Sequence, residues 1–152
     1  MKKRVEDSRT EQVQILSQSS LNGYKRLFGG KLMQWIDVVA AVVARRHSGR
    51  NVTTACVDSL EFKAAARAND TLVIIGYVTY TGKTSMEICV KTFVEALNGT
   101  RKLINIAYLV MVALDENENP TKVPELILET DEQRAEWENA LRRIETRKSR
   151  KS

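Results

Sequence analysis

Leu32, Trp35, Ile36, Val39 and Val43 recur at i, i+3, i+4, i+7 and i+11, which puts them on one side of a helix and predicts a helical segment from about Gly30 to Arg46. Beside that stripe run Ala40, Ala41 and Ala44, small enough to let the helix lie close to another backbone. A helix apolar on nearly all sides is a buried one. Arg45, Arg46 and His47 suit the negative end of its dipole, so His47 reads as a helix-terminal cation, and Gly49 supplies the stop. From Asn51 onward the period changes to two. The runs 52–62, 71–80, 84–96 and 101–114 are rich in Val, Ile, Thr and Tyr and are separated by the turn signals Asn69-Asp70, Gly82-Lys83 and Asn98-Gly99. Connections this short imply an antiparallel meander, and a buried helix followed by such strands is an α+β layer arrangement.

In the third run Met86, Ile88, Val90, Val94 and Ala96 alternate with Ser85, Glu87, Lys91 and Glu95, so its second face should meet water. The fourth run is apolar on both faces and must be covered twice, by the helix and, most economically, by another subunit. Ahead of the helix, residues 11–16 alternate like a short strand, and 17–26 form a loop with Asn22-Gly23 as its turn signal. Residues 1–10 carry six charges without apolar periodicity and should be loose. A second helix over 131–146 opens with a Thr130 and Gln133 capping pair.

With 152 residues, 43% of them hydrophobic and 28% charged, the chain fits one globular domain rather than a disordered or collagenous polymer. The longest uncharged apolar stretches, 103–114 and 38–44, fall well short of the ~20 residues a spanning helix needs. The charged start carries no apolar run of signal type, so membrane insertion is not expected. Cys56 and Cys89 lie too far apart for a metal motif and form no disulfide framework, which points to a reducing cytoplasmic compartment. The net charge of +5 is a property of the tail: six basic residues and one acid between Arg142 and Ser152 account for all of it. That tail, 147–152 above all, reads as a solvated and frayed end. It lacks the aromatic interleaving of a nucleic-acid binder.

The chemistry-bearing residues are few. Gly82-Lys83-Thr84 resembles the end of a phosphate-binding P-loop, but the required upstream glycine would fall at Tyr77 and the segment joins two strands. No G-x-S-x-G elbow exists, and one histidine gives little support for a triad or a zinc cluster. Asp37, a lone acid inside the apolar helix, either faces solvent, pairs with a distant arginine, or serves as a reactive carboxylate whose lost solvation raises its pKa. Gly29-Gly30 at the helix start leaves N–H groups without internal partners, a site for a carbonyl or an anion. Asn22 can hold a water or a carbonyl through its amide, or can simply serve the turn before Gly23.

The ordered blocks Asn22, LFGGKLMQWID (27–37), ARRHSGRNVTTACVDSLEF (44–62), Asn69-Asp70, YTGKTSME (80–87), INIAYLVMVALDE (104–116) and VPELILETDEQR (123–134) closely resemble the acyl-CoA thioesterases of the hotdog fold. The resemblance covers roughly residues 10–146. It implies a hotdog domain over 11–130, a long helix wrapped by a curved antiparallel sheet, followed by the 131–146 helix. It further implies a homodimer with active sites between subunits, often assembled as a trimer of dimers. The implied reaction is hydrolysis of acyl-CoA to free acid and CoA, with no cofactor beyond the CoA of the substrate.

By the same resemblance, Asp37 is the catalytic carboxylate, as general base or as nucleophile, and Asn22 joins it from the partner subunit. Gly29 and Gly30 would polarise the thioester oxygen. Lys83, Thr84 and Ser85 of the 82–85 turn would hold the CoA phosphates, with Arg101 as a weaker candidate from the neighbouring hairpin. The other reading is a hotdog module that binds acyl-CoA without turning it over. This chain departs from many relatives in having Lys25 or Arg26 where they carry glycine, Ala65 where they carry proline, and Asn69 where they carry glycine.

Overall fold

The computed structural model describes residues 1–27 and 29–151; Phe28, within the 27–37 block, and Ser152, at the end of the basic tail, lie outside them. In chain order the elements are β1 (Lys2–Arg4), α1 (Val5–Ser8), β2 (Thr10–Ile15), a 3-10 turn (Gln18–Ser20), α2 (Gly29–Ser48), β3 (Asn51–Phe62), β4 (Thr71–Thr81), β5 (Ser85–Glu95), β6 (Arg101–Leu114), β7 (Glu125–Ile127) and α3 (Asp131–Lys151). Five strands form an antiparallel sheet in the order β2-β4-β5-β6-β3, and β1 pairs in parallel with β7.

The helix lies where its apolar stripe predicted. Leu32, Ile36, Val39 and Val43 are buried against Ile74, Val78, Ile88, Leu109 and Met111 on the inner face of the sheet. Each such side chain contributes about 1.5–3 kcal/mol by leaving water. The closest approach comes from the sheet side. A side chain on Gly76 would meet Val39 Cγ1 at 2.8 Å and Val43 Cγ2 at 3.0 Å, so glycine at that point of β4 lets the helix settle onto the strand.

The meander is real for β4, β5 and β6 but does not extend to β3. That strand pairs with β6, from Asn51 opposite Leu114 to Phe62 opposite Asn105, and the chain then crosses to β4 on the other side of β5. Residues 63–70 can do this because eight extended residues reach about 26 Å, while three strand spacings need only about 14 Å. β3 consequently sits at one edge of the sheet, with its outer hydrogen-bonding side open.

The face of β5 expected to meet water is covered by α3. Glu87 is 2% exposed and is held by Arg143 at 2.7 Å, by Arg147 at 3.4 Å and by the Thr79 hydroxyl at 2.6 Å. Arg147 also reaches Asp58 on β3 at 3.0 Å, and Arg150 reaches it at 3.5 Å. The basic segment is therefore not a frayed tail; much of its charge neutralises two buried acids. Arg143 lies over the Tyr108 ring at 3.7 Å, and its pairing with Glu87 raises its pKa in spite of burial. Beneath the same helix, burial pushes the Cys89 thiol up to about 11, leaving it unreactive. Trp137 packs on Tyr80 with ring centroids 4.3 Å apart. The cap of α3 forms as expected: Gln133 N donates to Thr130 Oγ1 at 3.0 Å, and the Gln133 side chain accepts from Glu129 N at 2.7 Å.

Two further expectations fail for reasons of contact. Residues 1–10 are ordered: Lys2–Arg4 joins β7 and Val5 is buried. His47 is not a solvated cation but is fully buried, with Nε2–H donating to the Pro124 carbonyl at 2.8 Å. Burial pushes its pKa below 6.5 and keeps the ring neutral.

Candidate active site

Asp37 projects from the middle of α2 and is half-buried. Its Oδ1 accepts a 2.8 Å hydrogen bond from Thr54 Oγ1 on β3, and the same hydroxyl oxygen lies 3.4 Å from Met111 Sδ. Among the described residues no arginine or lysine pairs with Asp37, so its place in the helix is not that of a structural ion pair. Thr54 carries no mark in the sequence, being one of several polar residues on an alternating strand. Only the meeting of β3 with α2 reveals it.

Asn22 does the local work of its turn. Its Oδ1 accepts from Tyr24 N at 2.9 Å and Arg26 N at 3.2 Å, while its backbone N–H donates to the Arg26 carbonyl at 2.7 Å. The amide nitrogen remains, with no partner among the described residues, as a donor on an exposed loop. Asn22 lines a recess of about 380 Å³ with Arg26, Phe62, Ala65 and Ile104. Phe62 also stands 3.8 Å from where a side chain on Gly29 would begin, so Asn22, Phe62 and the start of α2 gather at one end of the subunit.

Gly29 and Gly30 are the first two residues of α2, where backbone N–H groups have no acceptor within the helix. Asp37 follows eight residues after Gly29, about 12 Å along the axis. A thioester carbonyl cannot touch both within one chain. Within one chain the donors at Asn22, Gly29 and Gly30 therefore stand apart from the Asp37–Thr54 pair.

A family model described as the thioesterase superfamily matches residues 24–97. An uncharacterized acyl-CoA thioester hydrolase of Bacillus subtilis is 40% identical over 86% of this chain and 76% of its own. The chain belongs to the thioesterase superfamily. Among solved members, a hexameric acyl-CoA thioesterase in its apo form superposes with a TM-score of 0.96 at 39% identity, over 99% of this chain and 97% of that one. An acyl-CoA hydrolase of Staphylococcus aureus, solved with butyryl coenzyme A, coenzyme A and coenzyme A disulfide, superposes with a TM-score of 0.95 at 32% identity, over 99% of this chain and 93% of that one. That enzyme has also been solved with a threonine, an aspartate or an asparagine replaced by alanine. The chain spans less than a third of the longer mammalian coenzyme A thioesterases that it matches.

In this thioesterase-superfamily chain the remaining candidates divide. Thr53, Val112 and Ser85 lie in one row across β3, β6 and β5. The Lys83, Thr84 and Ser85 turn is therefore at the same end of the sheet as Thr54, about 10 Å across two strand spacings. The turn is held from behind, since Gly82 N donates to Ser85 O at 2.9 Å and the Lys83 and Thr84 carbonyls accept from Val123 and Ala113 at 3.0 Å. Lys83 is exposed. Arg101 does not join it. A meander alternates its turns between ends, and the eleven residues of β5 separate the two turns by about 33 Å. Arg101 is also engaged with Glu95 at 2.9 Å and Glu11 at 3.4 Å.

Proposed function

We propose that this protein hydrolyses acyl-CoA thioesters at a site completed by two copies of the chain. The observation that carries the reading is the separation just described: the Asp37–Thr54 pair and the Asn22–Gly29–Gly30 donors are both well formed yet lie apart in one subunit. The Staphylococcus aureus enzyme supports it further, because the three residues replaced there stand at the same intervals as Asn22, Asp37 and Thr54 do here. The open edge of β3, with Val57, Leu60 and Phe62 exposed along it, is the surface on which a second copy adds its strand. Dimers of this kind assemble further into the hexamer recorded for relatives.

In this site the Gly29 and Gly30 N–H groups hold the thioester oxygen, and each such donor is commonly worth a factor of ~10²–10³. Thr54 fixes one oxygen of Asp37 and leaves Oδ2 for the reaction. Asp37 either takes a proton from a water that attacks the carbonyl carbon or attacks that carbon itself to give an anhydride that water then opens. In both routes the carbon–sulfur bond breaks and the sulfur leaves as the CoA thiolate, which regains a proton. The Asn22 amide orients the water or the carbonyl, and Lys83, Thr84 and Ser85 engage the phosphates of CoA. CoA enters only as part of the substrate and product. Free Cys56 and Cys89 fit a reducing cytoplasmic setting.

The deciding experiment is thiol release from acyl-CoAs ranging from acetyl to stearoyl, with the wild type and Asp37→Asn. The expected result is a kcat lowered by at least ~10²-fold in a folded variant. A folded Asp37→Asn with full activity overturns the assignment. Tight acyl-CoA binding without turnover by the wild type establishes the binding-module reading instead.

A further inference from the structure

Thr54 and Asp58 lie four residues apart on β3 and yet face opposite sides of the sheet. Thr54 turns inward to Asp37 on α2, whereas Asp58 turns outward to Arg147 at 3.0 Å and Arg150 at 3.5 Å on α3. A regular strand alternates with a period of two, so residues four apart share a face. The pairing with β6 shows what reverses this. Thr54 stands opposite Met111 and Cys56 opposite Val110, which leaves Ala55 as an extra residue, and a second slip between Val57 and Ser59 leaves Asp58 as another. Ala55 and Cys56, though consecutive, accordingly both line the outer side beneath α3.

Asp58 is thus an acid at a bulge, with its side chain only 7% exposed. A buried ion pair adds little stability over an apolar contact of the same size, and its best-attested use is to fix a register. The partners here suit that use. Arg147 holds Asp58 on β3 and, at 3.4 Å, Glu87 on β5, so it bridges the strands on either side of β6. Within the chain β3 pairs on one side only, and two extra residues loosen its alternation further. With Asp58 drawn outward, the single extra residue at Ala55 leaves Thr54 facing inward. A step of that bulge past Thr54 would turn its hydroxyl away from Asp37.

We propose that Asp58 is a positioning residue for the reaction: its ion pairs with α3 pin the bulged stretch of β3 and so keep Thr54 on the Asp37 side of the sheet. The inference rests on the reading of Asp37 and Thr54 as part of the reaction centre. It gives the last turns of α3 a part in catalysis that needs no contact with the substrate.

The test uses the full chain and Asp58→Asn, which keeps the size and removes the charge, with Asp58→Glu as the conservative variant. Arg143→Ala is the control, since Arg143 holds Glu87 but makes no ion pair with β3 among the described residues. Two readouts are taken: kcat and KM for an acyl-CoA, and the nuclear Overhauser contact between the Thr54 and Met111 methyl groups, whose oxygen and sulfur stand 3.4 Å apart. Asp58→Asn should lower kcat about tenfold or more at unchanged KM and weaken the methyl contact. Added to Thr54→Ala it should lower kcat no further, because changes that act through one contact are not additive. Asp58→Glu should recover both readouts, and Arg143→Ala should lower the melting temperature while the methyl contact persists. A folded Asp58→Asn that keeps either its kcat or its methyl contact overturns the proposal. So does an equal loss of kcat in Arg143→Ala, which would make the effect one of general stability. Should Asp58→Asn not fold, Asp58→Leu combined with Arg147→Met removes the pair together, leaves Glu87 with Arg143, and is read in the same way. A wild type that hydrolyses no acyl-CoA defeats the functional reading instead, and the methyl contact still decides whether Asp58 pins the strand.

Discussion

Thr54 Oγ1 donates a 2.8 Å hydrogen bond to Asp37 Oδ1, tying the edge strand to the only carboxylate on the central helix. Hydrogen bonds to charged groups contribute about 1.5–3 kcal/mol. Where that bond holds the reacting carboxylate in place, its loss corresponds to roughly ten- to a hundredfold in rate. Thr54→Ala should lower kcat by this amount with little change in melting temperature, and Thr54→Ser should recover most of the activity in the same thiol-release assay.

A site shared between copies has a signature in mixtures. Asn22→Ala and Asp37→Asn should each be impaired alone. After unfolding and refolding together, random pairing puts half the dimers in the mixed form, each with one intact site of two, so about a quarter of wild-type activity should return. Mixed dimers verified by mass spectrometry that stay inactive would rule out the shared site.

The local periodicities were enough to place α2, the four long strands and the start of α3, because each depends on residues near in sequence. What escaped depends on distant partners. Glu87 looked solvated on its alternating strand, and only the arginines of α3, some sixty positions later, make its burial tolerable. Asp37 stood out as an acid among apolar neighbours, whereas Thr54 could not, since a threonine on a strand is unremarkable without its helical partner. Arg101 was grouped with Lys83 because their hairpins are consecutive, and consecutive hairpins turn at opposite ends of a sheet.

Arg143 contacts Glu87 through two nitrogens, Nη2 at 2.7 Å and Nε at 3.0 Å, and stacks on Tyr108. Arg143→Ala would leave the buried carboxylate with the neutral Thr79 hydroxyl and a single, longer cationic partner, Arg147 at 3.4 Å, and should destabilise the fold by about 3 kcal/mol in urea titration. Arg143→Lys should recover little, since a lysine supplies neither the fork nor the planar stack.

Lys25 adopts φ 60° and Asn69 φ 68°; many relatives carry glycine at Lys25 or Arg26 and at Asn69. A non-glycine residue in this region costs roughly 1–2 kcal/mol, and asparagine tolerates it better than lysine. Lys25→Gly should therefore raise stability by about 1 kcal/mol and Asn69→Gly by less, read from denaturant midpoints.

His47 makes stability depend on pH in a definite sense. Its folded-state pKa lies below the ordinary 6.5 because burial disfavours the imidazolium ion. The unfolded chain takes up a proton as pH falls through that value while the folded protein does not, so the contribution is present above it and lost below. Melting temperature should decline from neutral to mildly acidic pH, and His47→Gln should flatten the slope whatever it does to the absolute value.

The open side of β3 ties solubility to assembly. The unpaired outer side of this twelve-residue strand, which carries the exposed Val57, Leu60 and Phe62, forms a template that any extended chain could extend into an aggregate. On the proposed shared-site reading, a second copy that closed this edge would complete the reaction centre and remove the hazard in one step. Dilution below the dimer's dissociation constant would then cost the cell more than turnover, because every orphaned subunit would expose the strand that seeds its own precipitation.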